Sequence, residues 1–516
     1  MSNLAGIDLG TTFSAVAVLN DIGKAEIVPN AEGERITPSA IYFDDADSSI
    51  IRVGIEAVNS RHLNPDRSVR WIKRHIGEPD YRVNIDGKEW TPRELSSLIL
   101  KKLKQDAGIE NGEITDVVIS VPAHFDEARR KATMDAGSLA GLNVIGIVNE
   151  PVAAALYYAT THDVSGRVLV YDLGGGTFDV TLLDVKEKNI RIICSQGDHA
   201  LGGIDFDKKI LEMFEQAYRG NYDSELISCR EEGAKYEDEA EDVKKTLSRR
   251  DTAKKMLYGQ AGSMRFEISR QQFEQAVEPL ITRTDMLVEV ILEEAGCKAS
   301  DVNKVILAGG STRMPLVQKR LEQKFDFAPE IAVNVDECVA LGAAIQAGLT
   351  KLNDEPDKVS AGISGGLKDI KLKDVCNHSY GTICAPKDSQ TGQYVIENKI
   401  ILPKNTPLPC EQSQRFYTMA DGQTELEVTI TQGEDTDPDY INKIATEVFE
   451  LPADRPAGRP IKVTYSYDTN QRMHCRFEDE ESGNKLEVDF CVGENDKLTR
   501  ADVEGKAQEL AGFKVE

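Results

Sequence analysis

The chain repeats one pattern of apolar and polar positions, and the two copies lie about 165 residues apart. In the first copy the apolar residues 4–7 lead into a polar, glycine-containing turn and then into the apolar residues 15–19. In the second copy the apolar residues 168–171 lead into a similar turn and then into residues 180–185. Each copy predicts a strand, a glycine turn and a returning strand. Two such hairpins predict two lobes of similar construction that face each other.

The residues inside both turns suit phosphate binding. Glycines allow the backbone N–H groups to approach a polyphosphate without a Cβ in the way. Thr11, Thr12 and Thr177 add hydroxyl donors to the turns. Asp8 and Asp172 stand where the first strands end, and a carboxylate there can hold hydrated Mg²⁺ beside the phosphates. The sequence therefore predicts a nucleotide site between the lobes.

Three later segments carry compatible chemistry. Residues 149–155 place Glu150 just before an Ala-rich helix with proline at an early position. Residues 201–205 form a glycine turn ahead of a predicted helix. Residues 307–313 follow an apolar strand, and their glycines can lay backbone against a purine or a ribose.

The pattern of predicted secondary structure changes after residue 350. Residues 1 to about 350 alternate predicted strands and helices, as a two-lobed α/β domain should. Residues 353–368 have little periodicity and are rich in turn formers, so they predict a linker. Beyond them, short alternating or β-branched segments predict an antiparallel β domain. These segments are 394–402, 415–419, 426–431, 461–467 and 486–490.

The charge balance narrows the class of partner. The chain has 61 basic and 87 acidic residues, a net charge of −26. Such a surface repels phosphate backbones and anionic membranes, so we expect no nucleic acid and no membrane as partners. No apolar run reaches the roughly 18 residues typical of a membrane span, and we expect no secretory signal. The nine cysteines lack a framework spacing, which favours reduced thiols and a cytoplasmic location.

Read together, five segments resemble the nucleotide-contacting segments of the actin-like ATPase superfamily. They are residues 6–12, 149–155, 172–179, 201–205 and 307–313. More narrowly, they resemble the seventy-kilodalton heat-shock (DnaK-type) chaperone family.

That resemblance is strong over residues 4–350 and looser over 369–490. It implies an α/β two-lobed actin-like ATPase domain, followed by an antiparallel β-sandwich that binds peptides and by a short C-terminal helix. The implied domains are an ATPase domain at 1–352, an interdomain linker at 353–373, a substrate-binding β-sandwich at 374–492 and a truncated helical lid at 493–516.

The resemblance also implies roles for individual residues. The implied catalytic residues are Lys73, Glu150, Asp172 and Thr177. The implied contacts to ATP or ADP are Gly10, Thr11, Thr12, Gly174, Gly175, Gly176, Gly202, Gly203, Glu241, Lys244, Ser248, Gly309, Gly310, Ser311, Arg313 and Asp336. Mg²⁺, and in addition K⁺, would lie near Asp8, Asp172 and Asp179. Pro122 and Arg130 resemble the family's relay between the nucleotide and the other domain.

The β domain carries candidate peptide-binding residues. Phe416, Leu426 and Val428 are apolar at the family's groove positions, and Leu426 and Val428 share one strand face. Packing in the sandwich core is an equally good interpretation of all three. The implied partners are unfolded or extended peptide segments, a J-domain co-chaperone and a nucleotide-exchange factor.

The chain departs from the family in its linker and at its C-terminus. The family linker is a hydrophobic run between two aspartates, but residues 369–374 carry Lys371 and Lys373. Losing two buried side chains removes roughly 3–6 kcal/mol, more than a typical coupling free energy of about 1–3 kcal/mol. Ile370 and Leu372 nevertheless keep a period of two. Coupling between the domains is therefore left open by the sequence.

Three function classes follow. The first is an ATP-driven chaperone that clamps short apolar segments of unfolded polypeptides. The second is an uncoupled holdase or co-chaperone with a mainly structural ATP site, which the altered linker favours and the intact Lys73 and Thr177 oppose. The third is a small-molecule kinase or a filament-forming ATPase. A kinase needs an acceptor pocket, for which the sequence offers no evidence. Filament-forming ATPases lack the β domain.

Overall fold

The structure is a computed structural model that describes residues 4–331, 334–387, 391–469, 471–489 and 500–516. These residues form two α/β lobes, I and II, and a β-sandwich packed against them.

Lobe I is built on a mixed sheet that contains the first predicted hairpin. Its strands Leu4–Asp8 and Phe13–Leu19 are antiparallel, and Leu4–Asp8 also pairs in parallel with Asp116–Val121. The apolar strand residues are buried on both faces because helices cover both sides of the sheet. The other strands of lobe I are Ala25–Val28, Thr37–Pro38, Ala40–Phe43, Ile50–Val53, Ser68–Arg70, Val83–Ile85, Lys88–Trp90, Asn143–Asn149 and Lys514–Val515. Its helices are Ile55–Ser60, Pro92–Asn111, Glu127–Leu139, Ala361–Leu367 and Arg500–Ala511, with 3₁₀ turns at Pro65–Arg67, Ile72–His75 and Pro356–Lys358.

Lobe II repeats the arrangement with the second predicted hairpin. Gly166–Leu173 and Phe178–Lys186 are antiparallel, and Gly166–Leu173 pairs in parallel with Lys304–Ala308. Further strands are Asn189–Asp198, Thr252–Gly259, Gly262–Ser269, Glu330–Ile331 and Lys371–Lys373. The helices are Gly203–Tyr222, Arg230–Arg249, Arg270–Glu294 and Pro315–Phe325, with 3₁₀ turns at Ala299–Asp301 and Gly310–Arg313.

Two helices join the lobes. Glu150–Thr161 and Cys338–Asp354 pack against each other between the two sheets and share one apolar core with both. Gly342 is required at their contact, because a Cβ there would lie 1.8 Å from the carbonyl oxygen of Ala153. This close approach brings the start of the first helix to the cleft where both glycine turns end.

The β-sandwich has two antiparallel sheets, as the alternating segments predict. One sheet consists of Tyr380–Cys384, Glu397–Leu402, Glu425–Gln432 and Asn442–Glu450. The other consists of Cys410–Tyr417, Pro460–Tyr467, Met473–Asp479 and Lys485–Asp489, and a 3₁₀ turn lies at Pro438–Tyr440. The inward side chains of both sheets form a single apolar core.

Residues 353–368 differ from the predicted linker. The helix Cys338–Asp354 continues into this stretch, and the helix Ala361–Leu367 follows, capped by the hydroxyl of Ser360. Ile363 and Leu367 are buried in the core that joins the lobes. A helix of seven residues is too short to show periodicity in the sequence, which explains the difference.

The extended connection to the sandwich lies on lobe II as an edge strand. Lys371–Lys373 pairs in parallel with Asn189–Asp198. Ile370 is only 8% exposed and Leu372 is half-buried, whereas Lys371 and Lys373 point to solvent. Because successive strand residues face opposite sides, the two lysines remove no buried contact from the docked linker.

The C-terminal elements pack on lobe I rather than over the sandwich. Lys514–Val515 pairs in parallel with Ile50–Val53, and Arg500–Ala511 packs beside Glu127–Leu139. The predicted boundary at residues 492 and 493 lies outside the described residues. Within the described part of the chain, no helix combines the length and apolarity needed to cross a bilayer.

Candidate functional site

A cavity of about 730 Å³ opens between the lobes, where both hairpin turns meet. It lies within the volume range of small-molecule sites, roughly 300–1,000 Å³. The predicted residues that line it are Asp8, Gly10, Thr11, Thr12, Lys73, Glu150, Asp172, Gly174, Gly175, Thr177, Gly203, Glu241, Lys244, Ser248, Gly309, Gly310, Ser311, Arg313 and Asp336. The predicted residues Gly176, Gly202 and Asp179 do not line it, but Gly176 packs against Thr11 and Gly202 packs against Gly175.

The two glycine turns are in van der Waals contact across the cleft. A Cβ on Gly175 would lie 1.8 Å from Thr12 Oγ1, and a Cβ on Gly176 would lie 2.5 Å from Thr11 Cγ2. Among the described residues, the buried Thr12 hydroxyl has no hydrogen-bond partner. A buried hydroxyl of this kind is costly unless a ligand satisfies it, so the cradle fits phosphate oxygens.

Lys73 lies in the cleft on the 3₁₀ turn Ile72–His75, which follows Trp71 in a left-handed conformation. Its side chain is 5% exposed and forms an ion pair with Glu150. Burial alone would lower the pKa of Lys73, but the carboxylates of Glu150 and Asp8 outweigh it and hold that pKa above its ordinary value. Lys73 is therefore a fixed positive charge at the phosphate end of the cleft.

Three buried carboxyl groups, those of Asp8, Asp172 and Asp179, interact with Lys73 and Glu150. Burial, together with the charge of Glu150, raises the pKa of Asp8 to about 6 and that of Asp179 to about 8, and it raises the pKa of Asp172 well above its ordinary value. Ser120 donates a 2.7 Å hydrogen bond to Asp8. Such crowding of acids is relieved by a divalent cation, so these residues fit Mg²⁺. No group of three or more potential ligands among the described residues converges closely enough to enclose a metal by itself.

The residues predicted to contact the nucleoside, Glu241, Lys244 and Ser248, line the cavity from one helix. Lys244 donates to the Asp207 carboxylate at 2.7 Å and to the Gly203 carbonyl at 3.0 Å, and Ser248 donates to the Lys244 carbonyl. Glu241 pairs with Lys245 on the same helix face. The two hydrogen bonds of Lys244 hold the helix Arg230–Arg249 against the helix Gly203–Tyr222.

Sequence reasoning missed several residues of this cleft. Asp207 lines the cavity, and burial raises its pKa to about 6. Arg70 lines the cavity and pairs with Asp238 of lobe II at 2.6 Å. Arg61 of lobe I also pairs with Asp238, at 2.9 Å, and with Glu237. These ion pairs close the mouth of the cleft, and only the arrangement of the two lobes brings them together.

The candidate peptide-binding residues lie against the sandwich core. Val428 is 3% exposed, while Phe416 and Leu426 are half-buried and pack on the same core. Two large side chains nearby in sequence, Tyr417 and Met419, are exposed. The partial exposure of Phe416 and Leu426 is compatible with both interpretations, and Val428 serves the core.

A buried polar network joins the sandwich to lobe I. Glu127 accepts hydrogen bonds from the hydroxyls of Tyr380 and Tyr467, at 2.7 and 2.9 Å. Arg130 donates to the side-chain oxygen of Gln471 in the sandwich. Gln471 in turn donates to Asp374, the residue that directly follows the linker strand Lys371–Lys373.

Comparison with known proteins agrees with this geometry. The family profile described as "Hsp70 protein" matches residues 4–513. A chaperone protein DnaK of Thermotoga neapolitana is 38% identical over 515 residues, which cover 97% of this chain and 82% of the relative. Those of Thermotoga petrophila and Thermotoga maritima are 39% identical over 495 residues, covering 93% of this chain and 79% of each relative.

Nucleotide binding and ATP hydrolysis follow from that kinship and from a cleft whose residues suit them. The β-sandwich joined to the ATPase lobes matches the architecture of a protein that binds unfolded polypeptides and works with co-chaperones. The chain therefore belongs to the Hsp70 family and is an ATP-dependent molecular chaperone.

Proposed function

We propose that this chaperone couples hydrolysis at Lys73, Glu150, Asp172 and Thr177 to its affinity for short apolar peptide segments. Bound Mg²⁺-ATP supplies the phosphoryl group and part of the charge neutralisation. The chain's own residues then position water and compensate charge, which is most of the catalysis that phosphoryl transfer requires.

Each residue would act at a stated atom. The Lys73 ammonium would compensate negative charge that develops on the phosphoryl oxygens. The Glu150 carboxylate, held by Lys73, would orient the attacking water. The Thr177 hydroxyl would donate to the γ-phosphate or the water. Asp8 and Asp172 would hold the hydrated magnesium, and K⁺ would lie beside Asp179.

The observation that carries the coupling is the docked linker. Ile370 and Leu372 are packed in the core that joins the lobes, and Asp374 is buried in the network with Gln471. Displacing the sandwich breaks contacts on lobe I and lobe II together. This arrangement does not favour the uncoupled holdase as the alternative function.

The groove residues and partners belong to the same proposal. Phe416, Leu426 and Val428 would line or support the peptide groove, and a J-domain co-chaperone and a nucleotide-exchange factor would regulate the cycle. The cysteine thiols described are free, which supports a cytoplasmic location. The proposed domain limits are 1–352 for the ATPase domain, 374–492 for the β-sandwich and 493–516 for the truncated lid, with the linker at 353–373.

The test is single-turnover ATP hydrolysis with and without excess apolar peptide. We expect peptide to accelerate hydrolysis in the natural chain and Lys73→Ala to reduce the rate by roughly 10²-fold or more with peptide present or absent. Lys24→Ala, at an exposed position of lobe I outside the cavity lining, is the matched control. Hydrolysis that requires Lys73 but ignores peptide would support the holdase instead. Exchanging K⁺ for Na⁺ in the same assay tests the monovalent cation.

A further inference from the structure

The segment of residues 500–516 extends the sheet of lobe I. The backbone N–H of Lys514 donates to the Ser49 carbonyl, and that of Val53 donates to the Glu516 carbonyl, both at 2.8 Å. The strand Lys514–Val515 therefore covers the edge strand Ile50–Val53, which would otherwise present unpaired backbone groups.

The same segment contributes side chains to the core of lobe I. Val503, Leu510 and Val515 are buried within the cluster that contains the lobe I strands. The ring of Phe513 packs edge-on against Trp90, with centroids 5.2 Å apart. Lys88 lies over the Phe513 ring at 4.5 Å.

Ion pairs and a helix cap complete the contact. Lys506 pairs with Glu94 and Glu509 pairs with Lys88, each at 2.8 Å. Lys101 donates to the carbonyl oxygens of Leu510 and Phe513, where the helix Arg500–Ala511 ends. Backbone, apolar and charged contacts thus all fasten the segment to one lobe.

The chain itself links this segment to the sandwich. Asp489, the last described residue of the sandwich, is joined to Arg500 by a connection that spans at most about 40 Å. The linker strand Lys371–Lys373 fastens the N-terminal end of the sandwich segment to lobe II. The sandwich is therefore attached by strand addition to each lobe, at two different edges.

We infer that residues 500–516 are a permanent part of lobe I, and that together with the linker they tether the β-sandwich to both lobes. The segment stays bound while the sandwich docks and undocks, because releasing it would open the lobe I core. An undocked sandwich stays within reach of its docking surface, at a high effective concentration. While it is bound to lobe I, this segment does not close over the peptide groove. The inference does not rest on the residue roles proposed for ATP hydrolysis.

Hydrogen exchange of the full chain tests the permanence of the contact. We expect the amides of Val53 and Lys514 to be protected equally with ATP and with ADP plus apolar peptide. Lys514→Pro removes the donor to Ser49 and should speed exchange at Val53 at least tenfold, whereas Lys514→Ala keeps the N–H and should leave it unchanged. Loss of protection in one nucleotide state of the natural chain would mean a mobile lid and would overturn the inference.

Cutting the connection tests the tether without relying on a destabilised variant. A protease site is placed between residues 489 and 500, and the cut protein is measured by gel filtration and small-angle scattering with ADP. We expect residues 500–516 to co-elute with the rest and the radius of gyration to exceed that of the uncut protein. Dissociation of the fragment, or an unchanged radius, would overturn it. Neither readout requires ATP turnover, so failure here is distinct from failure of the hydrolysis proposal.

Discussion

Arg130 donates a 2.7 Å hydrogen bond to the side-chain oxygen of Asn149, the residue directly before Glu150 in the catalytic cleft. The same guanidinium reaches Gln471 of the sandwich. One buried side chain therefore contacts both the base of the ATP site and the peptide-binding domain. When the sandwich moves away from lobe I, Arg130 loses Gln471, and its hydrogen bond to Asn149 must change as well.

Replacing Arg130 should uncouple the domains. In Arg130→Met we expect basal hydrolysis to persist and peptide stimulation to fall by at least about fivefold, the lower end of ordinary coupling free energies. Arg129→Met is the matched control, since Arg129 pairs with Asp126 on its own helix, and stimulation should change by less than roughly twofold. Single-turnover rates with and without peptide check both. Equal loss in the two variants would contradict the route through Arg130.

The alternation along the linker gives a second prediction. Ile370→Ala should weaken linker docking by about 2 kcal/mol, at the lower end for a buried Ile at an edge. Exchange of the Lys371 amide, which donates to the Lys188 carbonyl, should then accelerate roughly 30-fold. The Lys373 side chain points to solvent, so Lys373→Ala should change the free energy of linker docking by less than about 0.5 kcal/mol. Similar effects of the two substitutions would show that the linker does not dock by one face.

The interface between the domains should respond to acid through His378. Its imidazole is buried against the Phe125 carbonyl at 3.0 Å, and burial, with the positive charge of Arg130, lowers its pKa to about 3. A lowered histidine pKa favours docking above about pH 6.5 and progressively opposes it as the pH falls towards 3. At pH 5 this opposition amounts to about 2 kcal/mol.

Other groups at this interface modify the response. Burial raises the pKa of Asp374 to about 6 and raises that of Glu127, so protonation of these acids favours docking as the pH falls below about 6. Burial lowers the pKa of His124, whose ring centroid lies 5.7 Å from that of His378, so His124 acts in the same sense as His378.

His378→Gln isolates the histidine contribution. In this variant the sandwich should dock on lobe I more firmly than in the natural chain at pH 5, and about equally at pH 7.5. Hydrogen exchange of the amides at the sandwich interface measures the difference. His62→Gln, at a half-exposed position elsewhere on lobe I, should follow the natural chain at both pH values. A His378→Gln variant that is weaker at pH 5 would reverse the sign worked out above.

The ion pairs across the mouth of the cleft should slow nucleotide release. Arg61→Met removes contacts to Glu237 and Asp238, which are partly exposed, so we expect a loss of about 1–2 kcal/mol. ADP should then leave roughly 5- to 30-fold faster. Arg52→Met breaks a pair with Asp44 inside lobe I and should leave the rate unchanged. Stopped-flow release of fluorescent ADP measures both.

The sequence by itself determined the elements that are specified by neighbouring residues, such as hairpins and alternating strands. Glycine turns between apolar runs predict the paired hairpins, and those hairpins are present as Leu4–Asp8 with Phe13–Leu19 and Gly166–Leu173 with Phe178–Lys186. The period of two between Ile370 and Leu372 was visible as well, and it explains why Lys371 and Lys373 do not disturb docking. Turn chemistry and periodicity depend on neighbours within a few residues, so a single chain displays them.

Only the tertiary structure decided which elements share an interface. Arg61 and Asp238 are far apart in sequence, and their pairing depends on how two lobes are set by the helices packed between them. The helix Ala361–Leu367 is too short for a periodic signal. It is held in place because Ile363 and Leu367 are buried in the core that joins the lobes. Val515 lies in a segment that resembles a truncated lid, yet the open edge of Ile50–Val53 and the lobe I core bind it. Such contacts depend on surfaces that exist only after the chain has folded, and no local pattern encodes them.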